Sequence, residues 1–212
     1  MPDLPRSDHS GSRRSDGRTG TGLVLRQLSQ QTLSDLLKEG LDVVFVGINP
    51  SLFSVERGHY FARTTNRFWP ALSRSVLSLR ARTALGVEKL GPEHDRVLLD
   101  YGIGFTDVVK RATPKASDVA SAEFIAGVER LLAKLQDYQP RIACFHGVTG
   151  YRHVHRALTG VASLPSLGLQ DQRMGSTQIY LVPNPSGANA HVTPAEQTRW
   201  YDRLSECLGQ HG

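Results

Sequence analysis

Two Asn-Pro pairs are the residues of this sequence best suited to hold a polar group in a fixed direction. Asn49 precedes Pro50, Asn184 precedes Pro185, and each pair follows a short apolar run. Proline fixes its own φ and keeps the residue before it extended, so each asparagine side chain has a set direction. A single Asn-Pro pair is ordinary turn chemistry. Two pairs, after separate apolar runs and in glycine-rich surroundings, favour a site.

The elements that must position these asparagines alternate between strands and helices. Short apolar runs predict strands at 42–47, 101–105, 141–146 and 178–183. Apolar residues at helical spacing predict helices at 25–40, 66–79, 122–137, 149–158 and 194–208. This order, without a repeat or a second core, predicts one α/β domain with a mostly parallel sheet.

The carboxyl ends of the predicted strands are where a site is expected, because ligands of parallel sheets bind there. Four segments follow these ends: 47–51, 104–107, 146–147 and 183–191. They should meet at one edge of the sheet and form one site.

Composition excludes several classes of protein and of site. The chain has 212 residues, of which 39% are hydrophobic and 21% charged, and this excludes collagen-like, fully disordered and coiled-coil proteins. Its two cysteines cannot build a disulfide framework or a four-cysteine zinc or iron–sulfur site. His153 and His155 are two apart on a predicted helix, face different ways and make a poor metal pair. We therefore expect no cofactor and no metal.

The charge of the chain is basic, with a net charge of +5 and a pI near 9.5. Most of the positive charge is arginine, whose planar guanidinium suits phosphate contacts. This composition is compatible with a nucleic-acid partner, although coding bias would give the same pattern.

The sequence predicts a short tail followed by one domain. Residues 1–22 are rich in Ser, Gly, Arg and Thr and predict a disordered basic tail, followed by a single domain over 23–212. The apolar runs are too short to span a bilayer, and the first residues lack the apolar core of a secretory signal. We expect a cytoplasmic monomer without a membrane partner, in a bacterial cytosol or nucleoid rather than a nucleus.

Several blocks in collinear order, over about residues 40–207, closely resemble the mismatch-specific uracil/thymine DNA glycosylase family. The blocks are Val44–Pro50, Phe61–Ala62, Asn66–Trp69, Leu98–Gly102, Asp137–Pro140, Gly175–Gln178 and Leu181–Gly187. The resemblance implies a three-layer uracil-DNA-glycosylase-like fold, with a central four-stranded, mostly parallel sheet flanked by helices. It also implies base excision repair of duplex DNA, in which uracil, and sometimes thymine or another modified pyrimidine, is removed opposite guanine. The base must first be flipped out of the duplex.

Site residues also follow from the resemblance. It implies that Asn49 positions the attacking water, that Phe61 stacks on the flipped base and that Ile48 offers a backbone N–H to the pocket. Asn184 is expected to contact the sugar–phosphate backbone or the base edge. The expected DNA-binding residues are Ser186, Gly187, Ala188, Asn189 and His191. For His191 a second interpretation is open and slightly preferred, that of a solvated loop histidine.

Three positions depart from the family's pattern. Asp107 stands where lysine is frequent, and we weigh two roles for it: assistance to the water or the cationic sugar, or the N-cap of a helical turn. Ser51 replaces a glycine and should narrow the pocket near the pyrimidine C5, which puts the acceptance of thymine as a substrate in doubt. Ala188 stands where a leucine wedge is frequent, so reading of the opposite guanine should be relaxed.

Other activities remain open at this point. One is hydrolysis of a free nucleoside or nucleotide by another type of α/β enzyme, and a second is DNA binding without catalysis. No lysine stands at Asn49, Asp107 or Asn184, so no Schiff base is expected from these residues. The product of a glycosylase with this site should be an abasic site rather than a nicked strand.

Overall fold

The computed structural model describes residues 32–162, 165–189 and 191–210, and the predicted tail lies outside this range. The strands are β1 (Val43–Gly47), β2 (Ile103–Asp107), β3 (Ile142–His146), β4 (Gly168–Met174) and β5 (Thr177–Val182). The α-helices are α1 (Leu52–Arg57), α2 (Phe68–Arg74), α3 (Leu79–Leu85), α4 (Ser121–Tyr138), α5 (Val148–Thr159) and α6 (Pro194–Gln210). Short 3₁₀ turns cover Val76–Ser78, Pro92–His94, Val97–Tyr101 and Ala116–Asp118.

One five-stranded sheet, in the order β2-β1-β3-β5-β4, forms the centre of the fold. Strands β2, β1, β3 and β5 are parallel, and β4 is antiparallel to β5. The predicted α/β architecture, with a mostly parallel sheet between helices, is confirmed. The expected number of four strands is wrong, because β4 is an edge strand of alternating exposure and polar composition that lacks an apolar run.

Two hydrophobic cores lie on opposite faces of this sheet. Helices α2, α3 and α6 cover one face, where Phe45, Phe68, Phe105 and Tyr201 pack. Helices α4 and α5 cover the other face, where Val44 and other aliphatic residues pack. Strands β1, β2, β3 and β5 are buried along their whole length, which explains why they appear in the sequence as continuous apolar runs.

The first predicted helix is wrong over the residues that the structure describes. Residues 32–40 contain no helix, and residues 25–31 lie outside the described range. Leu36 instead exchanges two backbone hydrogen bonds of 2.9 Å with Phe105 on the outer edge of β2. This pairing satisfies backbone groups of an otherwise open sheet edge, which local apolar spacing does not reveal.

Two other boundaries differ from the predictions. The predicted helix at 66–79 is interrupted at Ser75, which ends α2 in an extended conformation and caps the next 3₁₀ turn with its hydroxyl. The predicted loop before Tyr60 contains the short helix α1. None of the helices in the described part of the chain combines the length and apolar character needed to span a bilayer.

Gly104→Ala should destabilise the protein, because an added Cβ would lie 2.6 Å from the Leu36 carbonyl oxygen and from Leu41 Cδ1. We expect a loss of about 1–3 kcal/mol in the free energy of unfolding, measured with urea. Gly209→Ala is the control, since it places the same methyl group in open space near the end of α6. Equal effects of the two substitutions would contradict this packing.

Candidate active site

A cleft of about 1120 Å³ lies at the carboxyl ends of the parallel strands. It is lined by every site residue that the sequence suggested: Ile48, Asn49, Ser51, Phe61, Asp107, Asn184, Ser186, Gly187, Ala188, Asn189 and His191. The expected meeting of the four strand-end segments is therefore observed. Their chemical roles remain predictions.

The side chain of Asn49 is held by its amide nitrogen. Nδ2 donates to Thr113 Oγ1 at 2.7 Å, to the Arg111 carbonyl at 3.0 Å and to the Pro50 carbonyl at 3.3 Å. Because a carbonyl only accepts, these partners fix which end of the amide is the NH₂ group. Oδ1 is thereby oriented as the acceptor that remains for a substrate or a water.

Asp107 ends β2 beside Gly47 of β1 and is a buried carboxylate in the cleft wall. Its Oδ2 has no hydrogen-bond partner among the described residues. Burial raises the pKa of Asp107 to about 7, against the opposing positive charge of Lys110. The group can therefore exchange a proton near neutral pH, as catalytic carboxyl groups in clefts often do.

The alternative that Asp107 caps a helix is wrong. No helix follows it, and the next two backbone N–H groups donate to strand-end carbonyls: Val108 to Gly47 at 3.0 Å and Val109 to Ile48 at 2.9 Å. The sequence Asp-Val-Val-Lys resembles a helix start, but the residues after β2 instead form hydrogen bonds with the end of β1.

Gly47 is the residue that makes room for this carboxylate. A Cβ at Gly47 would collide with Oδ1 of Asp107. The glycine that ends the first apolar run thus leaves the space that the Asp107 carboxylate occupies.

Phe61 has an unusual backbone, with a φ of 52°. The left-handed conformation costs a non-glycine residue about 1–2 kcal/mol, so the surrounding structure must hold it there. The Phe61 ring stacks on Phe68 at a centroid distance of 4.3 Å and an interplanar angle of 19°, and it meets His146 edge-on at 5.1 Å. It also lines the cleft, so a flat aromatic surface borders the space near Asn49.

Ser51 lines the cleft and also caps a helix. Its hydroxyl accepts from Ser54 N at 3.1 Å as the N-cap of α1 and also lies 3.1 Å from Ser54 Oγ. Ser54 is buried, lines the cleft and was missed from the sequence. A serine inside a predicted loop gave no signal, because the helix that turns it inward was not predicted.

The loop after β5 is fastened to the segment before α2 by Arg67. Its Nη1 donates to the carbonyls of Asn189 at 2.8 Å and Ser186 at 3.1 Å, and its backbone N–H donates to Pro185 at 2.8 Å. Gly187 faces Thr65, whose carbonyl oxygen would lie 2.8 Å from an added Cβ. Contact with Thr65 within the protein thus explains the glycine, and its expected role in DNA binding stays a prediction.

Asn184 organises this loop from within. Its Oδ1 accepts the Ser186 N–H at 3.0 Å, and its carbonyl accepts from Asn189 Nδ2 at 3.0 Å. The turn reading of this Asn-Pro pair and its place in the cleft are therefore both correct. Ala188 and His191 are exposed.

His146 lies at the end of β3 in the cleft wall and is buried. Its Nε2 lies 3.0 Å from the hydroxyl of Tyr201, and burial lowers its pKa to about 3. The imidazole is therefore neutral near pH 7 and serves as part of the aromatic packing around Phe61. Within the described residues, no group of three or more His, Cys, Asp or Glu side chains is arranged to hold a metal ion.

Asp107→Asn should stabilise the protein more at pH 8 than at pH 5. The pKa of about 7 in the folded state lies above the ordinary value of 3.8. The folded protein therefore binds the extra proton between these values, and its free energy of unfolding falls as pH rises through them. Since one pKa unit equals about 1.4 kcal/mol, the gain at pH 8 should reach about 2–4 kcal/mol in urea unfolding.

Asp202→Asn is the control for this measurement, because it removes a hydrogen-bonded carboxylate outside the cleft. A gain for Asp107→Asn that is the same at both pH values would contradict an ionising buried carboxyl group.

The residues of this site all lie in the part of the sequence that matches one known protein family. The sequence matches the Uracil DNA glycosylase superfamily over residues 34–205. The matched range contains all five strands, Asn49, Phe61, Asp107 and the loop fastened by Arg67. Because the match covers most of the chain, and the parallel sheet with its strand-end cleft agrees with it, the protein belongs to the Uracil DNA glycosylase superfamily.

Proposed function

We propose that the protein is a monofunctional, mismatch-specific DNA glycosylase that removes uracil opposite guanine from duplex DNA as a step of base excision repair. The observation that carries this proposal is the joint placement of Asn49 Oδ1, the Asp107 carboxyl group and the Phe61 ring in one cleft. A hydrolysis of the C1′–N1 bond needs a held water, a negative group near the cationic sugar and a surface that retains the base.

The base reaches this cleft only when it leaves the duplex, because C1′ and its bond to N1 are shielded inside the stack. Phe61 then offers a face for stacking, which is worth about 1–3 kcal/mol per base. One face of its ring is already against Phe68, so the pyrimidine takes the side that borders the cleft.

The water is oriented by Asn49, whose amide nitrogen is committed to protein acceptors and whose Oδ1 is left for the water proton. An amide cannot act as a general base at neutral pH. Asp107 supplies the missing charge: as a carboxylate it polarises the water or stabilises the oxocarbenium-like sugar. The proton that the water loses can be taken up by a group whose pKa lies near 7.

Substrate range follows from the walls of the cleft. Ser51 and Ser54 lie together near Phe61, and a methyl group at the pyrimidine C5 meets this more crowded wall, so thymine is a weak substrate at most. Pocket walls of this kind discriminate one methyl by about 1–3 kcal/mol. The exposed Ala188 fills little of the gap left by the flipped base, so preference for guanine opposite is moderate.

Single-turnover cleavage of a G·U duplex, with alkali to reveal abasic sites, tests the proposal. Wild type should cut, Asn49→Ala should lose at least about 100-fold in rate, and Asp107→Ala at least about tenfold. Asp202→Ala should stay within about twofold of wild type, since Asp202 accepts hydrogen bonds from Ser75 and Val76 and does not line the cleft.

The alternative functions would give different results with free deoxyuridine and with duplex DNA. Cleavage of free deoxyuridine without action on duplex DNA would assign a nucleoside hydrolase instead. Binding of the duplex without any abasic product would assign a DNA-binding protein. Strand breaks before alkali treatment would contradict a monofunctional enzyme.

The pH dependence of the single-turnover rate tests whether Asp107 acts as a carboxylate. If Asp107 acts as a carboxylate, the single-turnover rate should rise about tenfold per pH unit below an apparent pKa near 7 and level off above it. Asp107→Ala should flatten this profile over pH 5.5–8.5, a range of about three units. A wild-type rate that falls as pH rises would contradict the carboxylate role.

A further inference from the structure

We propose that Asp95 is a positioning residue for base stacking: through Tyr60 it holds the strained backbone that presents Phe61 to the cleft. The inference rests on the proposed function, since it assigns Asp95 a part in retaining the flipped base. Asp95 does not line the cleft, and it lies more than thirty residues from Phe61 in the sequence, after the 3₁₀ turn at Pro92–His94.

Both carboxylate oxygens of Asp95 are directed at the segment just before Phe61. Oδ2 accepts the backbone N–H of Tyr60 at 3.0 Å, and Oδ1 lies 3.0 Å from Nδ1 of His59. The Asp95 side chain is 1% exposed. Burial of a carboxylate is unfavourable unless its oxygens are hydrogen-bonded, and here the bonded oxygens converge on two consecutive residues.

The remaining polar groups of Tyr60 are fixed as well. Its carbonyl accepts from Trp69 Nε1 at 2.9 Å, and its hydroxyl donates to the Ser34 carbonyl at 3.1 Å and accepts from Lys110 Nζ at 3.3 Å. We call these contacts, together with those of Asp95, the Tyr60 clamp. Tyr60, the residue before Phe61, is thus held at both its backbone N–H and its backbone carbonyl.

This clamp matters because the φ of Phe61 is 52°. An unrestrained phenylalanine leaves the left-handed region, and rotation about this bond would carry the ring away from Phe68 and from the cleft. The carbonyl that Trp69 holds belongs to the peptide bond that joins Tyr60 to Phe61, and the N–H that Asp95 holds lies one residue earlier. Loss of Asp95 therefore releases the restraint without touching the ring.

A double-mutant cycle tests this role. Wild type, Asp95→Ala, Phe61→Ala and the double variant are compared by single-turnover cleavage of a G·U duplex. Phe61→Ala should lower the rate about 10- to 100-fold. Asp95→Ala should lower it about fivefold or more when Phe61 is present and less than about twofold when Phe61 is already alanine, because residues that act through one another are not additive.

Two further variants separate positioning from loss of folding. Asp202 likewise accepts one backbone N–H, from Val76, and one side-chain hydroxyl, from Ser75. Asp202→Ala should therefore leave the cleavage rate nearly unchanged, both when Phe61 is present and when it is alanine. Trp69→Phe removes the bond to the Tyr60 carbonyl and should reproduce the dependence on Phe61. If Asp95→Ala fails to fold, Trp69→Phe takes its place in the cycle, because it opens the clamp at the Tyr60 carbonyl.

Affinity for an undamaged duplex gives a second readout, and Asp95→Ala should leave it within about twofold of wild type, since stacking contributes only after flipping. Equal fold losses with and without Phe61 would overturn the positioning role and leave the proposed function standing. A wild type that cuts no G·U duplex would overturn the proposed function, and the inference with it.

Discussion

The parallel register of β1 with β2 and β3 is the constraint on which the candidate site depends. It places Gly47 beside Asp107 and aligns the end of β1 with that of β3. Because parallel strands end at the same edge, residues far apart in the sequence come together there without any contact that local sequence could specify. The two cores that clamp the sheet fix this register, since a shift by one residue would turn each buried strand's side chains to the opposite face.

Sequence patterns predicted those parts of the fold that carry a strong and local signal. The four buried parallel strands contain short apolar stretches, and α4 and α6 show clear helical periodicities, so all were found within a few residues. Strand β4 and the segment at 32–40 were not found correctly, because each is defined by pairing at a sheet edge. Such pairing depends on the partner strand rather than on the segment's own residues.

The same distinction holds for the site. Asn49, Asp107 and Asn184 could be named because they follow strands, and Phe61 because of a family resemblance. Ser54, Thr113 and Arg67 were missed: each reaches the cleft, or holds its wall, through a helix turn or a loop contact that leaves no periodic trace. The glycines were noticed, but the reasons for them came only from the structure, where Gly47 faces Asp107 and Gly187 faces Thr65.

The bonds from Arg67 to the loop after β5 have a consequence for the lesion selection proposed above. They tie the loop after β5 to the segment before α2, so two segments that line the cleft are joined into one unit. If the protein acts on duplex DNA as proposed, most of the deformation needed for base flipping falls on the nucleic acid, and its cost depends on how firmly the target base is paired and stacked. Under that proposal, the joined segments would favour bases whose pairing and stacking are weak, such as those of a wobble pair.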